Sequence, residues 1–155
     1  METDRPRLES LSRDKCLRLI ASVSVGRIIY TRQAMPAVEL VNFAVDGGDI
    51  VIRTNHSGKL AAALSGAVVA FEVDHLDPGD KTGWSVTAIG RSREVTDPAD
   101  ADRLRGIELY VWAPGERQHF MRISPEILNG RMLRPPDLQP DQEQFDQADP
   151  YAPLS

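Results

Sequence analysis

Cysteine is nearly missing from this chain: Cys16 is the only one among 155 residues. An internal disulfide framework is therefore excluded, and so are the Cys-rich spacings that hold structural zinc. Histidine is scarce too, with His56, His75 and His119 alone, and no pair of them has the spacing that places two imidazoles on one helix face. No metal site is predicted. No apolar run approaches the roughly 20 residues that a membrane-spanning helix needs, so no membrane partner is expected. The opening segment Met1-Glu2-Thr3-Asp4-Arg5-Pro6 leads into no apolar stretch of signal-peptide type, and the expected location is cytoplasmic. Positive charge is not in excess, since 18 basic residues face 23 acidic ones. Asp137, Asp141, Glu143, Asp146 and Asp149 lie in a terminal stretch, 135–155, without Lys or Arg. The rest of the chain holds 18 residues of each sign, which is no electrostatic footprint for nucleic acid. A nucleophile elbow is also lacking.

What is present reads as short strands joined by tight turns. Ser12 is placed to cap a short helix whose buried stripe is Cys16, Leu17, Leu19 and Ile20. Strands are predicted over Val23–Thr31, Ala37–Val45 and Ile50–Arg53, separated by a turn at Gln33–Pro36 and a hairpin loop at Asp46-Gly47-Gly48-Asp49. A helix over Ser57–Ser65 follows. The near-continuous apolar run Ala67–Asp74 predicts a strand buried on both faces. Gly83–Val95 is a long strand interrupted at Gly90, and Asp97-Pro98 caps a helix over Ala99–Leu109. Phe120–Ile123 and Ile127–Leu133 give one last strand or a pair. Most strands lack a crossover helix between them, so a parallel doubly wound sheet is excluded. The expected fold is mainly β: a small antiparallel barrel with flanking helices, over residues 11–134. Residues 1–10 are expected to be a flexible arm, and the acidic, Pro-rich tail 135–155 to be disordered or ordered only by a partner.

The richest chemistry lies at one strand-to-helix junction, Arg53-Thr54-Asn55-His56-Ser57-Gly58-Lys59-Leu60. Unpaired N–H groups at a helix N-terminus favour an anion. Arg53 and Lys59 would add charge-assisted bonds, and Thr54 and Ser57 neutral ones. The competing reading makes Ser57 a helix cap and the two cations solvated surface charges.

Several pieces of the chain, in order, resemble the pyridoxamine 5′-phosphate oxidase-like family of flavin-binding split β-barrels, in its nitroimidazole-reductase-like, actinobacterial branch. They are Val25-Gly26-Arg27, Pro36 with Val41-Asn42-Phe43, Arg53-Thr54, Ser57-Gly58-Lys59-Leu60 and Ala70-Phe71-Glu72-Val73-Asp74. Gly83-Trp84-Ser85-Val86 with Gly90, and Ile123-Ser124-Pro125 with Gly130-Arg131, complete the set. The resemblance implies an antiparallel split barrel of the FMN-binding type and a homodimer with flavin at the subunit interface. It also implies a phosphate held by Arg53, Thr54, Ser57, Gly58 and Lys59, and a ring lying along Glu39, Leu40, Val41 and Asn42. Trp84 and Trp112 either close the flavin pocket or pack in the core or the dimer interface.

The activity so implied is a flavin-dependent oxidoreductase acting on a small-molecule substrate, with the cofactor performing the electron transfer. Members of this fold also use a deazaflavin coenzyme or bind haem, and those cofactors stay open, as does a non-catalytic, redox-sensing flavin dimer. The vitamin-B6 oxidases carry an Arg and a Lys on the second strand. Here Val38–Ala44 has no basic residue and has Glu39 instead, so pyridoxamine phosphate is not the expected substrate.

Overall fold

The computed structural model describes residues 7–54, 59–107 and 119–135. Its elements run β1 (Arg7–Ser10), α1 (Arg13–Ala21), β2 (Val25–Arg32), β3 (Met35–Asp46), β4 (Asp49–Thr54), α2 (Lys59–Leu64), β5 (Val68–Asp77), β6 (Thr82–Glu94), α3 (Pro98–Arg105) and β7 (His119–Arg134). The strands form one antiparallel sheet in the order β1-β7-β4-β3-β2-β5-β6. β6 then pairs back onto β7, which closes every strand except β1 into a barrel.

Local chemistry explains most boundaries. Ser12 caps α1 by accepting from the Lys15 amide, and Asp97 caps α3 by accepting from the Ala99 amide, with Pro98 in the first turn. Gly47 and Gly48 turn the β3–β4 hairpin with φ of 59° and 84°, the left-handed region that two-residue hairpin loops need.

Alternating side chains fill the barrel with Ile28, Phe43, Ile50, Ile52, Phe71, Val73, Val86, Ala88, Met121 and Ile123. Cys16 and Ile20 of α1 and Ala61 and Leu64 of α2 join the same core. Burial pushes the Cys16 thiol up to about 11, so it is an inert core residue and not a nucleophile. Phe43 and Phe71 meet edge to face at 4.8 Å. Gly26 on β2 makes this possible: a Cβ there would lie 2.4 Å from the Phe71 ring.

Three expectations are corrected, and the choice between one last strand and a pair is settled. Residues 7–10 are not part of a loose arm, because they pair with Arg131–Arg134 of β7. The last strand is single, not a pair. Pro125 sits opposite Gly90 at a register shift, and a bulge is where a strand tolerates a residue without an N–H. β5 is buried on one face only. Val69, Phe71 and Val73 point inward, whereas Val68 is 56% exposed, because each strand of the closed antiparallel barrel turns only alternate side chains to the core. The turn between β2 and β3 is two residues, Gln33 and Ala34, with φ of 50° and 62°; Met35 and Pro36 belong to the strand. The tail beyond 135 lies outside the described residues.

Candidate functional site

β3 changes partners partway along. Met35–Asn42 pairs with β2, and Phe43–Asp46 pairs with β4. β4 meanwhile pairs along Ile50–Thr54 with β7. From Asn42 back to Met35, the β3 edge away from β2 therefore has no partner strand among the described residues. The gap is a groove of about 680 Å³, lined by Tyr30–Gln33 of the β2–β3 hairpin, Glu39–Asn42 of β3, Arg53 and Thr54 of β4, and Leu60, Ala63 and Leu64 of α2. That is the size and the mixed polar and apolar lining of a small-molecule site.

The groove brings together six of the residues singled out in the sequence: Glu39, Leu40, Val41, Asn42, Arg53 and Thr54. Asn42 Oδ1 is buried without a hydrogen-bond partner among the described residues. An unsatisfied buried acceptor is costly. Arg53 is half-buried and makes no ion pair among the described residues.

Thr54 is different. Its hydroxyl donates to the His119 carbonyl at 3.2 Å, and a hydroxyl has one proton to give. The expected bond from Thr54 to a phosphate is therefore already used in fixing β4 to β7. The described part of α2 is Lys59–Leu64, and the junction residues 55–58 that precede it lie outside the described residues. Among the described residues of the junction, Arg53 is the cation that lines the groove. Lys59 opens α2, while Ser57, Gly58 and Trp112 lie outside the described residues, as does His56. Trp84, on β6, packs against the barrel core opposite His75 and Met132 and does not line the groove.

Tyr30 and Arg32 are groove residues that sequence reasoning missed. Tyr30 donates to Glu39 Oε1 at 2.6 Å, and this bond raises the Tyr30 hydroxyl above the usual tyrosine range. The signal that finds the pair is the turn length. A two-residue turn at Gln33–Ala34 sets Tyr30 opposite Ala37, which makes Glu39 its diagonal neighbour on the same face.

The outer face of β2, β3 and β5 is unusually apolar. Val38 and Leu40 are 60% and 69% exposed. Ile29 pairs with Val38 on one side and Ala70 on the other, so one strip runs across three strands. Beside it Arg27 bridges Glu72 at 3.0 Å and Asp74 at 3.1 Å. Elsewhere, no helix of the described residues is long and apolar enough to cross a membrane.

Residues 12–132 match the family model described as pyridoxamine 5′-phosphate oxidase. The uncharacterized protein Rv0080 of Mycobacterium tuberculosis is 40% identical over 125 residues, covering 77% of this chain and 82% of that protein. Among solved structures, a putative pyridoxamine 5′-phosphate oxidase from Corynebacterium glutamicum superposes with a TM-score of 0.75 at 29% identity, covering 88% of this chain and 100% of that one. The FAD binding protein from Mycobacterium smegmatis does so with a TM-score of 0.68 at 34% identity, covering 81% and 97%. With its antiparallel split barrel and a family match spanning most of its length, the chain belongs to the pyridoxamine 5′-phosphate oxidase-like family.

Proposed function

We propose that the groove holds a flavin and that the protein is a flavin-dependent oxidoreductase acting on a small-molecule substrate. The observation that carries this reading is the β3 edge from Met35 to Asn42, unpaired among the described residues and bordering a groove of about 680 Å³, with the Asn42 Oδ1 acceptor beside it also without a partner among them. A planar heterocycle with N–H and C=O groups satisfies such an edge as a neighbouring strand would. Arg53 is the cation for the phosphate at the β4 end, with Lys59 at the start of α2 as its companion. Bound flavin supplies the hydride or electron transfer. The chain's own residues position the ring along Glu39–Asn42, hold the phosphate, and exclude water with Leu40, Val41, Leu60, Ala63 and Leu64.

FMN is the form we favour. The FAD-binding relative from M. smegmatis, 34% identical, supports FAD as the second reading, and both share the flavin phosphate that Arg53 would meet. Absorbance of freshly purified protein, followed by mass spectrometry of the released small molecule, tests the assignment. A flavin spectrum with FMN or FAD is expected. A haem or a deazaflavin in its place, or protein that retains neither FMN nor FAD on reconstitution, would overturn it.

The strip of exposed Val38, Leu40 and Val68 with half-buried Ile29 and Ala70 between them supports a homodimer, since contiguous apolar surface of this kind marks an interface. Leu40→Glu should convert a dimer to a monomer in sedimentation velocity. A wild-type protein that sediments as a monomer at micromolar concentration would remove this part of the proposal.

A further inference from the structure

We propose that Glu39, held in place by Tyr30, sets the redox potential of the flavin by placing one fixed negative charge on the groove wall. The inference rests on the flavin reading above and adds an electrostatic role for the Tyr30–Glu39 side-chain pair. Tyr30 is 6% exposed and donates to Glu39 Oε1 at 2.6 Å. A phenol anchored in the core thus fixes the rotamer of a carboxylate that would otherwise swing into solvent. A carboxylate is acceptor-only when ionised, and the pair carries a single net negative charge. It lies on the strand stretch, Glu39–Asn42, that borders the groove.

The chemistry follows from Coulomb's law. A reduced flavin is more electron-rich than an oxidised one, so a nearby anion disfavours reduction, and charge near the ring is one of the main means by which a protein tunes this cofactor. In the open groove Glu39 is exposed and screened by water. A ligand that covers it displaces that water and strengthens its field. Arg32 and Arg53 line the same groove and act in the opposite sense. The balance between Glu39 and these two cations makes Glu39 a tuning residue, not a catalytic one.

The experiment is a dye-coupled reductive titration of the flavin-loaded wild type, Glu39→Gln, Glu39→Asp, Tyr30→Phe and Arg32→Gln. Glu39→Gln should raise the ratio of reduced to oxidised flavin at a given potential by about tenfold, a midpoint shift of ~30 mV for a two-electron couple. Tyr30→Phe keeps the charge but frees the carboxylate, and should give a smaller shift of the same sign. Glu39→Asp, which keeps the charge, should stay nearer to wild type than Glu39→Gln does. Arg32→Gln should move the potential the other way. An unchanged potential in Glu39→Gln with flavin bound overturns this inference and leaves the flavin reading intact. Shifts of one sign in both Glu39→Gln and Arg32→Gln would report altered packing in place of charge and also overturn it. A wild type that retains no flavin overturns both.

Discussion

The two halves of β3 differ in almost every respect. Phe43–Asp46 pairs with β4, and Asp46 sits in a dense ionic cluster. Arg103 of α3 grips Asp46 with two bonds of 2.9 and 2.8 Å. Arg122 of β7 reaches Asp46 at 2.5 Å and both Asp49 and Asp100 at 3.3 Å, with only 8% of its side chain exposed. Beneath this cluster Leu104 of α3 packs on Val51 and Phe120. Met35–Asn42, in contrast, keeps one edge unpaired among the described residues and presents Met35, Val38 and Leu40 at 60% exposure or more. The lesson is a division of labour along one strand. The half that is clamped by charge and packing positions the half whose edge and outer face are left open.

The sharpest way to break the comparison is to loosen the clamp. Arg122→Met takes the buried cation from among Asp46, Asp49 and Asp100 and leaves them only the exposed Arg93 and Arg103, and removing one partner of a buried ionic cluster costs about 3 kcal/mol. Urea denaturation should show a loss of that order. A loss below about 0.5 kcal/mol, the range of a neutral surface change, would mean that the cluster is not the clamp.

Acid is a gentler probe of the same end. The guanidinium of Arg103, and then that of Arg122, hold the Asp46 carboxyl well below the usual carboxylate range. A carboxyl depressed in the folded state contributes stability above its unfolded value of ~3.9 and loses it as the pH falls below that value. Wild type should therefore lose on the order of 1–2 kcal/mol from this residue on acidification. Asp46→Asn, already without that contribution, should show a flatter decline over the same range; parallel curves would sink the assignment.

At the open half the expected effects move from stability to binding. Arg53→Ala should weaken flavin retention by about tenfold, or ~1.4 kcal/mol, while the melting temperature of the unliganded protein changes little. A drop in melting temperature with unaltered flavin affinity would assign Arg53 to the clamp side instead. Asn42→Leu is the smallest and most diagnostic change. It removes a buried acceptor that has no partner among the described residues. The unliganded protein should become slightly more stable, by up to about 1 kcal/mol, and flavin affinity should fall several-fold. Equal losses of both would show that Asn42 is an ordinary structural amide.

Local signals in the chain were enough for the caps at Ser12 and Asp97, the Gly47-Gly48 hairpin, the interruption at Gly90 and the existence of the main strands. Each depends on a few consecutive residues whose backbone preferences act wherever the segment lies. The Arg53 junction was legible for a related reason, its short run of cations, hydroxyls and a glycine, whereas Glu39–Asn42 came only from the resemblance to the family. Only the tertiary structure decided that residues 7–10 are a strand, that β7 runs unbroken through Pro125, and that one face of β5 is left outward. It also decided that Thr54 spends its proton on His119 and that Tyr30 holds Glu39. Those outcomes depend on register and pairing between segments as much as 125 residues apart, as Arg134 and Glu9 are. Such pairings are set by how side chains of separate strands pack around one core, a cooperative choice that no single window of sequence contains.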